Sequence, residues 1–265
     1  MKTELTIVKI GGNIIDDEKK LHSFLEKFHA IKGLKILVHG GGKAATDFSS
    51  RLGIEAKMVN GRRITDAKTL EIVVMVYSSI NKSMMAALNA MGAKSIGICG
   101  ADLNMIPSKK RANSAIDYGF VGDVLPAEIP VSEWKMLLDA GICPVVAPIT
   151  ADASGQLLNT NADTIASSVA QALSKYYSVK LIYCFEKNGV LKNPNDENSV
   201  LSQIKTQEYT SLKEQEIISG GMIPKLDNAW EALKQGVDKV IIGNALHIEK
   251  LTAPAHETGT LLIKE

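Results

Sequence analysis

The most constraining feature of this 265-residue sequence is a regular alternation of short apolar runs with longer stretches of helical periodicity. Strands that are continuously apolar and separated by helices are typical of a parallel sheet covered on both faces. The apolar runs are LTIVKI (5–10), KILVH (35–39), SIGIC (95–99), CPVVAPI (143–149), VKLIYC (179–184), KVIIG (239–243) and TLLI (260–263). Helices are predicted near 17–32, 43–52, 66–91, 132–140, 162–175, 207–218 and 225–236. The sequence therefore predicts an α/β protein with a mostly parallel central sheet, interrupted at 108–130 by a hairpin or loop excursion.

Ligands of such sheets bind beyond the carboxyl ends of the strands, so the residues just after each strand are the candidates for a functional site. These positions are rich in glycine and small polar residues, which suit the binding of an anion by backbone N–H groups. They are Gly11-Gly12-Asn13, Gly40-Gly41-Gly42, Asn159 to Asp163, Glu186 to Gly189, and Asn244.

The charge balance gives no sign of a nucleic-acid or membrane-surface partner, because 30 Lys and Arg residues face 29 Asp and Glu residues and the net charge is +1. The three cysteines lie in apolar segments without metal-ligand spacing, which indicates free thiols in a reducing compartment. The first residues, MKTELTIVKIGG, read as a strand rather than a signal peptide, and no apolar run is long enough to span a bilayer. We therefore expect a cytoplasmic protein.

The segment ILVHGGGKAA (36–45) carries the strongest local signal, three glycines and a lysine directly after a strand. A P-loop would need a glycine five positions before Gly42-Lys43 and a Ser or Thr after it, but Leu37 and Ala44 stand there. The spacing of Gly40, Gly42 and Ala45 fits a permissive dinucleotide fingerprint, yet the later segment KMVNGRRITD (57–66) is basic where an acidic ribose ligand is required. Both patterns are therefore disfavoured.

A third interpretation uses two glycine loops together. The first strand ends in Lys9-Ile10-Gly11-Gly12 and the second in His39-Gly40-Gly41-Gly42. If these strands are neighbours, both loops present N–H groups to one point with the Lys9 ammonium beside them. Phosphoryl transfer needs such donors and cations more than it needs covalent chemistry. A second cation and an acid to position it are available in Lys225 and Asp163.

Six motifs resemble those of a known family, in the expected order from the first strand to the last. They are VKIGGN, VHGGGKAA, NGRRIT, LLNTNADTIA, ISGGMIPK and the terminal TGTLLI. The sequence is similar to the amino acid kinase family, and within it to the branch that phosphorylates N-acetyl-L-glutamate. The resemblance implies a three-layer α/β/α sandwich of the carbamate kinase type. It also implies a reaction of MgATP with N-acetyl-L-glutamate to give N-acetyl-L-glutamyl 5-phosphate and ADP, the second step of arginine biosynthesis.

The resemblance assigns three catalytic residues. Lys9 matches the lysine that neutralises the transferring phosphoryl group from the acceptor side, and Lys225 matches the lysine on the nucleotide side. Asp163 matches the acid that orients both lysines. No base is expected, because a γ-carboxylate is already ionised at neutral pH. His39 is accordingly predicted to pack or to hydrogen-bond rather than to move a proton.

The resemblance also assigns the binding residues. Arg63 matches the clamp on the substrate α-carboxylate, for which a planar fork is well suited. Asn159 matches the amide that binds main-chain polar atoms of the substrate, and Gly41 and Gly42 match backbone donors to the reacting carboxylate and the γ-phosphate. The predicted ATP-binding positions are Gly11, Gly12, Glu186, Gly189, Leu191, Ile217 and Ser219.

The implied organisation is an N-terminal lobe, residues 1–177, that binds the acyl amino acid and dimerises, and a C-terminal lobe, residues 178–265, that binds ATP. Mg²⁺ is expected to be held mainly by phosphates and water, with no metal site of the protein's own. The segment CFEKNGVL (184–191) departs from the family, because Glu186 replaces the aspartate of an Asp-x-x-Gly turn.

Three points stay open at the level of sequence. The acyl group is acetyl or a larger group such as succinyl, whose extra carboxylate would need another cation, with Arg62 or Lys43 as candidates. A non-catalytic regulatory relative that binds nucleotide is a further alternative. In the family that the sequence resembles, a helix before the first strand accompanies hexamers that arginine inhibits. Its absence here therefore predicts a homodimer with little arginine feedback, and the Met-rich stretch 73–91 is predicted to be a long helix at its interface.

Overall fold

The computed structural model describes residues 2–59, 62–112, 116–218, 220, 222–253 and 258–264. Within them the strands, in chain order, are β1 (Glu4–Ile10), β2 (Leu34–His39), β3 (Met58–Val59), β4 (Arg62–Arg63), β5 (Ser95–Cys99), β6 (Ser108–Lys110), β7 (Gly122–Val124), β8 (Cys143–Ala147), β9 (Ile149–Ala151), β10 (Leu157–Asn159), β11 (Ser178–Phe185), β12 (Gln203–Lys205), β13 (Lys239–Asn244) and β14 (Thr260–Ile263).

The α-helices, in chain order, are α1 (Gly12–Ile15), α2 (Glu18–Ala30), α3 (Gly42–Arg51), α4 (Ala67–Ala90), α5 (Val131–Asp139), α6 (Ala162–Ser174), α7 (Thr206–Glu214), α8 (Met222–Lys234) and α9 (Ile248–Thr252). Short 3₁₀ turns cover Asp102–Asn104, Pro126–Glu128 and Ala245–His247. None of the helices in the described part of the chain is long and apolar enough to cross a membrane.

Eight strands form the central sheet in the order β12-β14-β13-β11-β1-β2-β8-β5. Every neighbouring pair is parallel except β13 and β14, which are antiparallel. The predicted mostly parallel sheet is confirmed, and β1 and β2 are neighbours as the glycine-loop hypothesis requires. The order also places β1 and β2 in the middle of the sheet, where their carboxyl ends are enclosed by other loops.

Two apolar layers cover the sheet because its strands point successive side chains to opposite faces. On one face α5, α6, α7 and α8 pack over residues such as Ile7 and Leu181. On the other face α2, α4 and α9 pack over residues such as Val8 and Ile182. The three-layer α/β/α architecture follows directly from this alternation.

Three local details differ from the sequence prediction. The apolar run 143–149 is divided by Pro148, so β8 ends at Ala147 and the next residues pair with β10 in a separate antiparallel ribbon. Helix α8 begins at Met222 rather than at 225, which places Lys225 in its first turn. The polar edge strand β12 was not predicted, since three residues carry too little pattern. The excursion at 108–130 is a hairpin, because β6 and β7 pair antiparallel.

The predicted lobe boundary after residue 177 falls between α6 and β11. The sheet continues across this boundary, since β1 pairs with β2 on one side and with β11 on the other. The two segments therefore share one sheet, and the assignment of acyl amino acid to one and nucleotide to the other stays a prediction.

Candidate active site

A cavity of about 600 Å³ lies at the carboxyl ends of β1 and β2, between the first turns of α3, α6 and α8. It is the place where the sequence predicted a ligand site. Nine of the predicted site residues line this cavity together: Lys9, Gly11, Gly12, Gly41, Gly42, Arg63, Asn159, Asp163 and Lys225.

Asp163 is the acidic centre of the cavity and contacts both predicted catalytic lysines. Its Oδ1 lies 2.7 Å from Lys9 Nζ, and its Oδ2 lies 3.5 Å from Lys225 Nζ. Lys9 and Asp163 are buried, whereas the Lys225 side chain is 31% exposed and remains accessible from the cavity. Burial alone would raise the pKa of Asp163, but the charges of Lys9 and Lys225 outweigh it and the pKa is lowered. The carboxylate is therefore ionised and binds both lysines at neutral pH.

The strand register explains why Lys9 reaches Asp163. Lys9 follows Ile7 with the period of two, so it points to the face that α6 covers, while Val8 and Ile10 point to the opposite face. Helix α6 begins with Asn161 as its N-cap, whose Oδ1 accepts hydrogen bonds from the N–H groups of Asp163 and Thr164 at 2.8 and 3.0 Å. The cap fixes Asp163 in the first turn, directly above Lys9.

The two glycine loops are joined to each other by a hydrogen bond from Gly40 N–H to the Ile10 carbonyl, 3.0 Å long. Gly41 packs so closely on α4 that a Cβ there would lie 2.8 Å from the Tyr77 ring, so no larger residue fits. Helix α3 begins at Gly42, and the first N–H groups of a helix have no acceptor within the helix. The second loop therefore presents free amide donors to the cavity, as an anion site requires.

Arg63 is held against the second glycine loop and keeps part of its guanidinium free. Its Nη2 donates to the Gly42 carbonyl and to Thr46 Oγ1, each at 2.7 Å. Its Nη1 is buried and has no hydrogen-bond partner among the described residues. A buried guanidinium N–H of this kind is normally satisfied, so the position is suited to a bound carboxylate.

Asn159 lies at the end of β10 and faces the same cavity. Its Nδ2 donates to Thr65 Oγ1 at 3.0 Å, and that hydroxyl donates to the Arg63 carbonyl at 3.3 Å. This chain of contacts fixes the amide with its oxygen available as an acceptor. Asn159 is thus connected through Thr65 to the main chain of Arg63.

Arg111 and Tyr77 are among the lining residues that the sequence prediction missed. Arg111 of the β6–β7 hairpin lines the cavity, with Nε donating to Asp123 Oδ1 at 2.9 Å and its guanidinium over the Tyr118 ring. Tyr77 of α4 lines it beside Gly41. The periodicity of α4 places Tyr77 on a buried face, but nothing local in the sequence shows which loop that face meets.

The predicted nucleotide residues beyond the glycine loops lie outside the lining of this cavity. Glu186 is exposed just after β11, and its carbonyl accepts a hydrogen bond from Asn244 Nδ2 at 2.8 Å. Gly189 packs tightly on Thr260, Leu191 bridges to residue 200, and Ile217 is half-buried after α7. Ser219 lies outside the described residues. Their part in binding ATP stays a prediction.

The cavity carries a large excess of positive charge. Among its described lining residues six are cationic, namely Lys9, Lys43, Arg62, Arg63, Arg111 and Lys225, and Asp163 alone is acidic. Lys43 and Arg111 have acidic partners at the rim, because Lys43 Nζ lies 3.3 Å from Asp16 and Arg111 binds Asp123. The remaining charge favours a ligand with several negative charges.

The chemistry that this arrangement supports is electrostatic. His39, the nearest histidine, is fully buried with hydrogen bonds to Gly40 and Asn81, which confirms the prediction of a hydrogen-bonding role. Amide donors, two lysines and one fixed carboxylate can surround a phosphoryl group as it moves between two oxygens. The fold and the site together define a small-molecule phosphotransferase.

The chain belongs to the amino acid kinase family, whose family model matches residues 4–244. It is 51% identical to the acetylglutamate kinase of Phocaeicola vulgatus over 91% of this chain and 94% of that protein. It is 50% identical to the acetylglutamate kinase of Cytophaga hutchinsonii over 98% of each chain. The crystal structure of carbamate kinase from Giardia lamblia bound to AMP-PNP shares the fold, with a TM-score of 0.69, 16% identity and 99% coverage of each chain.

The buried ion pair gives a prediction about stability. Lys9→Met or Asp163→Leu alone should each lower the free energy of unfolding by roughly 3 kcal/mol, because each leaves one charge buried without its main partner. The double variant Lys9→Met/Asp163→Leu should lose less than the sum of the two. Urea denaturation of the four proteins measures this coupling.

The exposed pair of Lys187 and Glu197, whose Nζ and Oε1 atoms are 2.6 Å apart, is the matched control. Its double-mutant cycle should give a coupling of about 0–1 kcal/mol, since water screens both charges. Additive effects at Lys9 and Asp163 would contradict the pairing described here.

Proposed function

We propose that this protein transfers the γ-phosphoryl group of ATP to the γ-carboxylate of N-acetyl-L-glutamate, giving N-acetyl-L-glutamyl 5-phosphate and ADP in a step of arginine biosynthesis. The observation that carries this proposal is Asp163 bound to Lys9 and Lys225 at the mouth of two glycine loops. Curated relatives with about half of their residues identical, over nearly the full chain, are acetylglutamate kinases. The free thiols of the described cysteines fit a cytoplasmic enzyme.

In the proposed complex the acyl glutamate lies on the Arg63 side of the cavity. The free Nη1 of Arg63 binds its α-carboxylate, and the Asn159 amide oxygen accepts the N–H of the acylated amine. The side chain then extends toward Gly41 and Gly42, whose amides bind the γ-carboxylate. A planar guanidinium held at one end by Gly42 and Thr46 fixes the direction of the substrate.

The transfer itself needs no protein base. An ionised γ-carboxylate oxygen attacks the γ-phosphorus in line, and the bond from that phosphorus to the bridging oxygen breaks to release ADP. Lys9 neutralises the phosphoryl oxygens from the acceptor side and Lys225 from the nucleotide side. Asp163 contacts both ammonium groups and directs them at the same point.

We assign ATP binding to the segment 178–265 together with Gly11 and Gly12, and acyl-amino-acid binding to the segment 1–177. The nucleoside contacts are proposed at Glu186, Gly189, Leu191, Ile217 and Ser219. Mg²⁺ fits this site only as a phosphate-bound ion. Asp163 is the one carboxylate among the described lining residues, and both of its oxygens face lysines.

The catalytic assignment predicts the kinetics of Lys225→Ala. The kcat should fall by about 10²-fold or more with little change in the KM for either substrate, because the lysine acts on charge that develops in the transition state. Lys234→Ala, an exposed lysine in the last turn of the same helix, is the control and should leave kcat unchanged. A coupled ADP-release assay measures both, and a parent protein without activity would favour the regulatory nucleotide-binding alternative.

A dicarboxylic acyl group such as succinyl is the second candidate, and two guanidinium groups favour it. Arg62 and Arg111 both line the cavity beside Arg63. Burial and the charge of Arg111 lower the pKa of Arg62, so a carboxylate placed between them would relieve an existing repulsion. An acetyl group has no charge to offer these residues.

A side-by-side assay with N-acetyl- and N-succinyl-L-glutamate distinguishes the two acyl groups. If succinyl is the substrate, Arg62→Ala should lower the ratio of kcat/KM for succinyl over acetyl by about tenfold, because one charge-assisted contact is lost. Lys57→Ala, an exposed cation outside the cavity lining, should leave this ratio unchanged. A preference for acetyl that does not respond to Arg62→Ala would establish the acetyl assignment.

We also propose a homodimer formed by α3 and α4. Phe48 of α3, Leu52 just after α3 and Met75 of α4 are large apolar side chains that remain exposed. A groove of about 480 Å³ between the helices is lined in part by Phe48, Met75 and Ile80. Exposed apolar surface of this kind on neighbouring helices is typical of a subunit interface.

Sedimentation equilibrium tests the assembly. The parent protein should have about twice the 28.5 kDa mass of the chain, and Met75→Glu should shift it toward monomer, because a carboxylate would be buried at the interface. Met136→Glu, at an equally exposed methionine on α5, is the control and should leave the dimer intact. A hexamer, or a monomeric parent protein, would contradict the proposal.

A further inference from the structure

His39 is fully buried at the end of β2, immediately before the second glycine loop. It lies on the opposite face of the sheet from Lys9, because it continues the alternation of Leu37, which packs in the layer under α4. Its ring therefore does not face the cavity. The proposed reaction gives it no role, so its two hydrogen bonds need an explanation of their own.

The two bonds define which ring nitrogen carries the proton. Nδ1 lies 2.7 Å from the Gly40 carbonyl oxygen, which can only accept, so Nδ1 is the donor. Nε2 lies 3.1 Å from Asn81 Nδ2, which can only donate, so Nε2 is the acceptor. Burial lowers the pKa of His39 to about 4, which keeps this ring neutral at physiological pH.

Asn81 is itself fixed in the orientation that selects this tautomer. Its Nδ2 also donates to the Val145 carbonyl at 2.8 Å, so the amide cannot be reversed without losing that bond. Its Oδ1 occupies the space next to Gly97, where a Cβ would lie only 2.2 Å away. The amide group is thus confined by β5 and β8 on one side and by His39 on the other.

The bond from His39 has a direct effect on the cavity because of peptide geometry. The Gly40 carbonyl and the Gly41 N–H belong to one planar peptide unit, and no described peptide bond is cis. The two groups of a trans peptide point in opposite directions. When His39 holds the carbonyl toward α4, the Gly41 N–H must point away from α4, toward the cavity that Gly41 lines.

Contacts on both sides of this peptide keep it in place. The Gly40 N–H donates to the Ile10 carbonyl in the first glycine loop. The Tyr77 ring and the Ile80 side chain of α4 pack against Gly41 so closely that no Cβ fits between them. The Gly40–Gly41 peptide is therefore clamped between the neighbouring loop and a long helix.

We propose that His39 is a positioning residue whose Nδ1–H tautomer, selected by Asn81, directs the Gly41 amide at the acceptor carboxylate. The identity of the ligand, an acceptor carboxylate, rests on the proposed function. The tautomer of His39 and the direction of the Gly41 amide do not depend on it. His39 and Asn81 do not touch the reacting atoms. They act by fixing the direction of a backbone donor that does.

Two substitutions at His39 separate positioning from packing. In His39→Asn the side-chain amide lies near the position of Nδ1 and can still donate to the Gly40 carbonyl. In His39→Gln the amide reaches the position of Nε2 and cannot donate to that carbonyl. His39→Asn should retain kcat within about fivefold, and His39→Gln should lose about 10- to 100-fold in kcat with the KM for ATP nearly unchanged. A role in packing alone gives the reverse order, because Gln fills more of the buried space. His39→Gln as active as His39→Asn would overturn the proposal.

Nitrogen NMR of the parent protein labelled in its histidines tests the tautomer without any substitution. At pH 7 the His39 signal should show a protonated Nδ1 and an unprotonated Nε2. A neutral ring protonated at Nε2 would overturn the proposal even if every variant failed to fold. Because this readout does not depend on activity, it is independent of whether N-acetyl-L-glutamate is the substrate.

Asn81→Asp completes the test, since its carboxylate would accept a hydrogen bond from Nε2–H, whereas the Asn81 amide donates one to Nε2. If the ring stays neutral with its proton on Nε2, Nδ1 no longer donates to the Gly40 carbonyl and kcat should fall by about tenfold. Asn89→Ala on the same helix is the matched control, because Asn89 shares three hydrogen bonds with Ser95, far from the loop. It should lower thermal stability and leave kcat unchanged. A ring protonated at both nitrogens keeps the Nδ1 donor and should keep kcat, whereas loss of the Nδ1 proton without a change in kcat would overturn the proposal.

Discussion

The site depends on one interaction, the buried contact of Asp163 with two lysines that come from different parts of the chain. A buried carboxylate without a partner is costly, and the charges of the two lysines lower the pKa of Asp163 despite its burial. The pair therefore couples the burial of β1 to that of α6, and α8 adds Lys225, which stays partly exposed. The central position of β1 in the sheet makes that assembly a consequence of the fold.

The parts of this structure that follow from short-range patterns were predictable. The apolar runs gave seven of the eight strands in the main sheet, because a strand buried on both faces has little freedom in composition. Lys9 between Val8 and Ile10 had to share a face with Ile7, so its direction followed from the period of two. The glycine loops after β1 and β2 were also evident, since so few residues permit such close backbone contacts.

The rest depends on contacts between distant segments, which a single sequence does not contain. Arg111 reaches the cavity only through the pairing of β6 with β7 and its bond to Asp123. Tyr77 and Asn81 lie on a face of α4 that was predictable as buried, but their partners Gly41 and His39 lie 36 and 42 residues earlier in the sequence. The strand β12 has three mostly polar residues and forms because it pairs with β14 at the edge of the sheet. In each case the position of the residue or strand is determined by contacts with a distant segment and not by its local sequence.

The clamped Gly40–Gly41 peptide has a thermodynamic consequence. A side-chain donor must give up rotamer freedom when it meets its ligand, and that loss of entropy weakens binding. A backbone N–H has no side-chain rotamers, and this one is already fixed by Ile10, Tyr77 and His39 before any ligand arrives. The entropy of ordering the donor is thus lost during folding, when the large apolar core can offset it. This donor therefore loses almost no further conformational entropy when it binds its ligand.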